Sequence, residues 1–169
     1  MDELVVSAEN ILVNETAQNS EEIIRKLGGL LYNHKYVKDT YIQAVLDREK
    51  VFPTGLQTAA LGIAIPHTDS EHVFRSAVAI ATLSSPVIFK AMDNPDVDIA
   101  VRVVIMLAVS DPGQVISTLT KVVSILEYQS TIDRIISSKT TTEIQAAVSD
   151  HIRMVTELNS STPDFSIGH

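Results

Sequence analysis

His67 is the residue in this sequence whose type and setting best suit chemistry. It follows a short apolar run, residues 61–65, and a proline, Pro66. An apolar run of this length between turn residues is typical of a buried strand, so we expect His67 where a strand leaves the core and meets water. Because proline lacks an N–H and has a fixed φ, Pro66 should end the strand pairing and set the direction of His67. A histidine placed in this way is a nucleophile at neutral pH, since the usual imidazole pKa is about 6.5.

Two nearby residue types suit the binding of an anion at His67. Thr68 directly follows it with a hydroxyl group, and Arg48 lies nineteen residues upstream at the end of a predicted helix. Each has an ordinary alternative: Arg48 can interact with the last carbonyl groups of its helix, and Thr68 can hydrogen-bond within a turn. The sequence leaves these alternatives open, since it does not by itself bring Arg48 to His67.

His67, Asp69 and His72 also form the pattern H-x-D-x-x-H, which suits a metal site. Zinc sites usually have three or four ligands whose orientation is set by further hydrogen bonds. No additional ligand clusters with these three residues in the sequence, so we expect neither a metal nor another cofactor. We interpret His72 as a residue at the rim of the site or in a turn. The remaining histidines are predicted to be surface residues: His34, His151 and His169.

The composition is that of a globular protein with an acidic surface. The chain has 169 residues, 45% of them hydrophobic and 20% charged, which predicts one domain over residues 1–158 and a frayed tail over residues 159–169. A total of 13 Lys and Arg against 21 Asp and Glu gives a net charge of −8. This charge argues against nucleic acid as a partner and favours the encounter with a basic protein.

The absence of cysteine excludes several classes of chemistry. Without cysteine, the sequence has no disulfide, no thiolate metal site and no cysteine nucleophile. The first residues are acidic and lack a long apolar core. The longest apolar run, residues 103–109, is far shorter than the roughly 20 residues that span a bilayer. We therefore expect a cytoplasmic protein without direct membrane insertion.

The predicted elements alternate between strands and helices. Residues 97–109 form the longest strand candidate, and from Val103 onward both of its faces are apolar, as in a central strand covered by helices on both sides. Strands and helices interleaved in this way predict an α/β or mixed α+β fold, with a mixed β-sheet flanked by helices. The other strand candidates are residues 10–14, 61–65, 77–83 and 86–89.

Capping side chains mark the starts of four predicted helices. A side-chain oxygen at such a position accepts a hydrogen bond from the first unpaired N–H groups of the helix. The helix that begins at Asp39 carries Arg48 and Glu49 at its end. The four signals are Asn19 with Glu22, Asp39, Asp111 with Pro112, and Thr140 with Glu143. The helix after Asp111 is predicted to bury Val115, Ile116, Leu119, Val122, Val123 and Leu126.

One combination of motifs resembles a known family. Residues 48–49 (RE), 53–55 (PTG) and 63–69 (IAIPHTD) together resemble the enzyme IIA domains of the bacterial sugar phosphotransferase system. The similarity is to the fructose and mannitol type superfamily, and within it to the galactitol-type members. It continues through residues 83–87, Phe89, Met92, residues 101–109 and Asp111-Pro112, and covers the chain from Ile23 to about Val155.

The resemblance implies a phosphotransferase that carries a phosphoryl group on a histidine. By this resemblance, His67 accepts the group on Nε2 from phospho-HPr and passes it to the cysteine of a separate enzyme IIB, in a system that also has a membrane enzyme IIC. Arg48 matches the arginine that the family holds near the phosphohistidine, and the implied fold is a three-layer sandwich. Galactitol or a related hexitol is the implied sugar. The alternative is a regulatory module of the same fold whose partner binding depends on phosphorylation.

One supporting position departs from the mannitol-type pattern. The resemblance leads us to expect a second histidine near the start of the helix after the long strand, and Gln114 occupies that place. A glutamine amide and the N–H groups of a helix start can hydrogen-bond phosphate oxygens, so Gln114 is a candidate to hold the phosphoryl group, with an ordinary first-turn residue as the alternative. Thr54 and Glu49 are further supporting candidates. The alternative for Thr54 is a local turn hydrogen bond, and Glu49 is interpreted as a solvated partner or an orienting residue in preference to a general base.

Overall fold

Five strands form one sheet in the part of the chain, residues 3–161, that the computed structural model describes. The strands are β1 (Val5–Glu15), β2 (Gly55–Gln57), β3 (Gly62–Ala64), β4 (Ala77–Lys90) and β5 (Asp98–Ala108). Their order in the sheet is β1-β4-β5-β3-β2. The β1–β4 and β3–β5 pairs are parallel, and the β4–β5 and β2–β3 pairs are antiparallel. The mixed sheet that the sequence predicted is therefore confirmed.

Helices cover both faces of this sheet. They are α1 (Ser20–Asn33), α2 (Tyr41–Val51), α3 (Val115–Val123), α4 (Gln129–Ser137) and α5 (Thr141–Ser161). One apolar cluster joins α1 and α2 to the sheet, and a second joins α3, α4 and α5 to its other face. The three layers confirm the predicted fold class. None of the helices within residues 3–161 combines the length and the apolar composition that crossing a bilayer requires.

β5 is the central strand of the sheet, and both of its faces are apolar. Val104 and Met106 lie in the cluster with α1 and α2, whereas Ile105 and Leu107 lie in the cluster on the opposite face. This alternation is the period of two residues that a strand imposes. All four side chains are buried. The prediction of a strand covered on both sides is confirmed.

Two predicted capping hydrogen bonds are present in the structure. Asn19 is the N-cap of α1, and its side chain accepts a hydrogen bond from the N–H of Glu22 at 2.9 Å. The hydroxyl of Thr140 accepts a hydrogen bond from the N–H of Glu143 at 3.2 Å, just before α5. These starts are predictable because capping depends on residues that are close in sequence.

The predicted cap of α2 at Asp39 is wrong by one residue. Thr40 is the N-cap, and its side chain makes no capping hydrogen bond. Its hydroxyl instead lies 2.8 Å from Nδ1 of His72, a residue of the 3-10 turn Ser70–His72. A contact between distant segments has replaced the local one, and a capping pattern carries no information about such a contact.

β4 is one continuous strand where the sequence predicted two. It passes through residues 84–85, which are exposed and lie between the two predicted strands. Its register with β5 shifts between Thr82 and Val87. An irregularity of this kind accommodates Pro86, which has no N–H to donate to a regular ladder.

β1 is longer than the predicted residues 10–14. Val5 pairs with Ala77 and Ile11 pairs with Ile80, so the intervening residues of β1 bulge out of the ladder. Such a bulge interrupts the alternation of apolar and polar residues by which a strand is recognised in a sequence.

The helix after Asp111 is shorter and differently oriented than predicted. Asp111 accepts a hydrogen bond from the N–H of Gly113 at 2.9 Å and thereby starts a 3-10 turn, Pro112–Gln114, before α3. A second 3-10 turn, Ser124–Glu127, follows α3. Ile116, predicted to be buried, is 80% exposed, because it lies beside the stripe of α3 that packs on the sheet.

α5 extends into the segment predicted to be frayed. It continues to Ser161, so residues 159–161 are helical, contrary to the prediction. Residues 162–169, which include His169, lie outside the described part of the chain.

His151 is buried in α5, although the sequence predicted a surface residue. Its Nε2 lies 2.8 Å from the hydroxyl of Ser124, and its Nδ1 lies 3.2 Å from the hydroxyl of Thr131. Because a hydroxyl group can both donate and accept, the two contacts satisfy both ring nitrogens within the core. His34 is exposed, as predicted.

Gly62 in β3 has no room for a side chain. A Cβ at this position would lie 2.5 Å from the carbonyl oxygen of Ala100 and 2.6 Å from Cγ2 of Ile99. The first of these contacts is with backbone, which cannot rotate away. We therefore expect Gly62→Ala to lower the free energy of unfolding by about 1–3 kcal/mol, as for other insertions into packed cores, measured by urea denaturation.

Gly29 in α1 provides the matched control for this substitution. Nothing lies within 4 Å of a Cβ added there. Because alanine is the better helix former, Gly29→Ala should raise the free energy of unfolding by about 0.5–1 kcal/mol. Effects of the same sign and size at both glycines would contradict the close approach at Gly62.

Candidate functional site

His67 leaves the sheet beside the end of β5. β3 ends at Ala64, but the chain continues along β5: the N–H of Leu107 donates to the carbonyl of Pro66 at 3.0 Å, and His67 forms a parallel bridge with Leu107. The hydroxyl of Tyr41, at the start of α2, donates to the carbonyl of Leu107 at 2.7 Å. The two backbone groups of Leu107 therefore hold the histidine segment and α2 at one point of the sheet. The prediction that His67 follows a buried strand is confirmed.

The hydrogen bond of His67 determines which ring nitrogen carries the proton. Nδ1 lies 2.8 Å from the carbonyl oxygen of Ile65. Since a carbonyl oxygen can only accept, Nδ1 is the protonated nitrogen of the neutral ring. Nε2 then has a lone pair and no hydrogen. The neutral imidazole of His67 thus presents Nε2 as its nucleophilic atom.

The surroundings of His67 keep its imidazole neutral. Removal from water is the main cause that lowers the pKa of His67 below its usual value of 6.5. The hydrogen bond to Ile65 opposes this change in pKa, the positive charge of Arg48 adds to it, and the charge of Asp69 opposes it. The lowered pKa means that Nε2 keeps its lone pair at neutral pH and below.

Arg48 lies in the last turn of α2, in the wall of an open cavity of about 610 Å³. Its Nη1 is 3.9 Å from Oδ1 of Asp69, and its guanidinium lies over the ring of Phe52, 5.2 Å from the ring centre. Its Nε is buried and has no hydrogen-bond partner among residues 3–161. Arg48 lines this cavity together with Thr68, which directly follows His67, and its charge contributes to the lowered pKa of His67. A guanidinium with an unused donor is suited to bind an anionic group.

The residues that follow His67 line the same cavity as Arg48. Thr68 is buried and, together with Asp69, forms part of its wall. Thr68 therefore remains a candidate to contact an anion there. Asp69 was not predicted as the partner of Arg48, although its position two residues after His67 is a signal that could have indicated it. Because Asp69 is exposed and 3.9 Å away, this ion pair contributes little to stability and leaves Arg48 available for another anion.

His72 lies at the rim of this cavity, in the 3-10 turn Ser70–His72. The turn that the sequence suggested for His72 is confirmed, and its place at the rim of the site stays a prediction. Within the part of the chain that the structure describes, no three or more His, Asp or Glu side chains are arranged to hold a metal ion.

Glu49 faces a different side of α2 from Arg48. Consecutive residues of an α-helix point in directions about 100° apart. The carboxylate of Glu49 accepts a hydrogen bond from the N–H of Thr54 at 2.7 Å and another from the Thr54 hydroxyl at 2.8 Å. It therefore points to the turn before β2 rather than to the cavity beside Arg48. A smaller cavity of about 160 Å³ is lined by Glu49 with Ser20, Glu21, Lys50 and Lys90.

Thr54 connects Glu49 to the histidine segment. Its side chain is buried, and the hydroxyl oxygen that donates to Glu49 also accepts a hydrogen bond from the N–H of Ile65 at 3.1 Å. These contacts correspond to the local alternative that the sequence left open for Thr54. Glu49 and Thr54 thus lie behind His67, on the protein side of the site.

Gln114 lies apart from the cavity that holds Arg48. It ends the 3-10 turn Pro112–Gln114, and its Oε1 is 3.4 Å from the hydroxyl of Ser117. It lines another cavity, of about 660 Å³, together with Lys121 and Arg153. Gln114 therefore lines a different cavity from Arg48, Thr68 and Asp69, and its role in holding a phosphoryl group stays a prediction.

The titration of Glu49 should be visible in the stability of the protein. Burial raises the pKa of Glu49 from 4.5 to about 7, although its hydrogen bonds to Thr54 act in the opposite direction. Because the pKa is higher in the folded protein, the folded state holds an extra proton between these two values, and stability falls as the pH rises through that window. Glu49→Gln cannot titrate and should lack this loss. Urea denaturation at about pH 5 and about pH 8 should show the variant gaining stability relative to the wild type, and a constant difference would contradict the raised pKa.

The sequence matches a known family over most of its length. The family described as phosphoenolpyruvate-dependent sugar phosphotransferase system, EIIA 2, matches residues 4–151. The galactitol-specific EIIA component of Escherichia coli K12 is 37% identical over 93 residues, and the match spans 55% of this chain and 61% of that protein. The mannitol-specific enzyme IIA component of Staphylococcus aureus N315 is 32% identical over 142 residues, which cover 82% of this chain and 91% of the relative.

Solved structures with the same fold include a complex. Mannitol enzyme IIA from Escherichia coli, in its complex with phosphorylated mannitol enzyme IIB, has a TM-score of 0.71 and 28% identity, over 87% of this chain and 99% of that one. The fold agrees with the family match over residues 4–151. This chain therefore belongs to the EIIA 2 family of the phosphoenolpyruvate-dependent sugar phosphotransferase system.

Proposed function

We propose that this protein is a phosphocarrier, which accepts a phosphoryl group from phospho-HPr on Nε2 of His67 and passes it to the cysteine of a separate enzyme IIB. The observation that carries the proposal is the hydrogen bond from Nδ1 of His67 to Ile65, which leaves Nε2 with a lone pair close to the charge of Arg48. Membership of the EIIA 2 family supports the same reaction. Residues 1–169 contain no cysteine, so the acceptor thiol lies outside them.

Phosphoryl transfer onto His67 is a substitution at phosphorus. The lone pair of Nε2 forms the new N–P bond while the bond from phosphorus to the donor imidazole nitrogen breaks, and that nitrogen keeps the electron pair. In the second step the thiolate of enzyme IIB attacks phosphorus, and Nε2 leaves with its electron pair. The hydrogen bond to Ile65 holds the ring in one orientation throughout, which favours the in-line approach that both steps need.

Arg48 and Thr68 are the groups that we propose for binding the phosphoryl oxygens. The planar guanidinium matches the geometry of a phosphoryl group and is always charged. The weak ion pair with Asp69, at 3.9 Å, allows Arg48 to exchange that carboxylate for a phosphoryl oxygen when His67 is modified. Gln114 is not included, because it lines another cavity.

The cavity beside Arg48 has the features of a surface that meets another protein. Val51 and Phe52, at the end of α2, are exposed and line it. Exposed apolar and aromatic side chains beside a charged centre are common in the cores of protein interfaces. We assign HPr and enzyme IIB to this surface in turn. The structure of the mannitol relative in complex with phosphorylated enzyme IIB supports the second partner.

The relatives support a hexitol such as galactitol as the sugar. In this scheme the sugar, bound by a membrane enzyme IIC, receives the phosphoryl group from the cysteine of enzyme IIB, and this chain acts in the cytoplasm without touching the sugar itself. The net charge of −8 suits an encounter with a basic carrier protein.

The test is phosphorylation of the purified protein with phosphoenolpyruvate, enzyme I and HPr, followed by addition of galactitol or mannitol enzyme IIB. We expect an acid-labile phosphate on this chain that disappears when a matching enzyme IIB is added. A protein that stays unlabelled with several HPr proteins would overturn the proposal. A label that no enzyme IIB removes would overturn the transport role and would favour a regulatory module.

A further inference from the structure

We infer that Glu49 is a positioning residue for His67, which acts through Thr54 and the backbone of Ile65 rather than by contact with the phosphoryl group. The inference rests on the proposed function of His67 and adds a residue that controls its reactivity. Its basis is a series of hydrogen bonds that runs from His67 to a carboxylate on the far side of α2.

Every hydrogen in this series points toward Glu49. Nδ1–H of His67 donates to the carbonyl of Ile65 at 2.8 Å, and the N–H of Ile65 donates to the Thr54 hydroxyl at 3.1 Å. That hydroxyl donates to Oε1 of Glu49 at 2.8 Å, and the N–H of Thr54 donates to Oε2 at 2.7 Å. Glu49 is the only member of the series that donates nothing, and its carboxylate fixes the direction of the Thr54 hydroxyl, since the backbone groups of Ile65 have fixed donor and acceptor roles.

Thr54 adds a hydrogen bond to Ile65 between the end of β3 and the contact of Pro66 with Leu107. β3 ends at Ala64, so the N–H of Ile65 lies just beyond the strand and bonds to the side chain of Thr54. Pro66, which follows, has no N–H to contribute. The position of the Ile65 carbonyl, and with it the orientation of the imidazole, therefore depends on how firmly Glu49 fixes the Thr54 hydroxyl.

The ionised form of Glu49 is the form that suits this arrangement. Thr54 presents two donors, its N–H and its O–H, and an ionised carboxylate offers an acceptor on each oxygen and no hydrogen. A proton on either oxygen would face one of these donors and force the Thr54 hydroxyl to turn. A glutamine at position 49 would meet the same conflict, because its amide nitrogen is a donor.

The charged groups near Glu49 come from three elements. They are Glu21 of α1, Lys50 of α2 and Lys90 of β4, which line the same small cavity, and Lys90 is paired with Asp98. Burial raises the pKa of Glu49 to about 7 in this setting. Protonation of Glu49 as the pH falls through about 7 should therefore weaken the positioning of His67, and ionisation of Glu49 at higher pH should restore it.

The experiment measures the rate of His67 phosphorylation between about pH 6 and pH 8.5 with two donors, phospho-HPr and the small molecule phosphoramidate. We expect Glu49→Gln and Thr54→Val to react about tenfold more slowly than the wild type at pH 8 with both donors, a usual size for losing an outer hydrogen-bond partner of a reactive imidazole. Thr54→Ser, which keeps the hydroxyl, should restore most of the rate. The wild-type rate should fall as the pH drops through 7, and Glu49→Gln should lack that fall.

Glu21→Gln is the matched control, because it removes one negative charge from the same cavity without touching Thr54. It should react at the wild-type rate. Nitrogen NMR of His67 gives a second reading on the folded protein: the signal of protonated Nδ1 should weaken in Glu49→Gln and stay unchanged in Glu21→Gln.

Three outcomes separate this inference from the proposed function. A folded Glu49→Gln with the wild-type rate, pH profile and NMR signal would overturn the inference. A slower rate with phospho-HPr alone would overturn it too, since Glu49 would then serve docking instead of the imidazole. Failure of phospho-HPr to label the wild type would overturn the proposed function, and the phosphoramidate rates would still decide the role of Glu49.

Discussion

His67→Ala should take up no acid-labile phosphate from phospho-HPr under conditions that label the wild type completely. The variant lacks the lone pair that forms the N–P bond, and Nδ1 of His34, His72 and His151 contacts a side-chain oxygen instead of a backbone carbonyl. His67→Gln should also remain unlabelled, because an amide keeps the size and polarity of the side chain without its nucleophilic nitrogen. The measurement is radiolabel transferred from phosphoenolpyruvate through enzyme I and HPr, quantified before and after acid treatment.

His34→Gln is the matched control for the loss of a histidine. His34 is exposed at the end of α1, and its Nδ1 contacts Asn10 rather than any residue of the site. This variant should be labelled as fast as the wild type. Labelling of His67→Ala at the wild-type level would place the phosphoryl group on another residue and would remove the basis of the proposed function.

Arg48→Ala should slow phosphoryl uptake by about 10² to 10³, the range for losing one preorganised group that stabilises developing charge. Arg48→Lys should recover only part of this rate, because a point charge on a flexible stem cannot replace a planar fork. Stopped-flow or quench-flow labelling with phospho-HPr measures both variants. The loss should persist at saturating phospho-HPr if Arg48 acts on the transition state more than on docking.

Lys50→Ala is the control for the charge of Arg48, since it removes a neighbouring cation that lines the other cavity. It should leave the rate of phosphoryl uptake nearly unchanged. Because the ion pair of Arg48 is exposed and long, Arg48→Ala should change the free energy of unfolding by no more than about 1 kcal/mol. A large loss of stability together with a small loss of rate would identify Arg48 as a structural residue.

The sequence predicts well those features that depend on neighbours along the chain. Three such features follow from local patterns and are present in the structure. They are the capping hydrogen bonds at Asn19 and Thr140, the two apolar faces of β5 and the strand that leads to His67. The predictions are wrong where a contact between residues distant in sequence determines the local structure. The hydroxyl of Thr40 contacts Nδ1 of His72 instead of capping α2. β4 continues through Pro86 because its irregular register with β5 accommodates a residue without an N–H.

The candidate site shows the same division. The motif identified His67 and Arg48, but the direction of each side chain depends on tertiary packing. Glu49 follows Arg48 directly, yet it lies on another side of the helix, where the N–H and the hydroxyl of Thr54 donate to its carboxylate. Gln114 follows the long strand as expected, yet a 3-10 turn places it in another cavity. A one-dimensional pattern gives the order of residues, whereas these directions depend on helix phase and strand register.

The two hydrogen bonds at Leu107 also bear on how the protein folds. They join β5 to Pro66 and to Tyr41, over sequence separations of 41 and 66 residues. Contacts of such long range form late, because chain entropy opposes closing large loops before many other contacts compensate. The orientation of the imidazole is thus among the last properties that a newly made chain acquires. Only a completely folded molecule would then carry a phosphohistidine, and incompletely folded molecules would take no part in phosphoryl transfer.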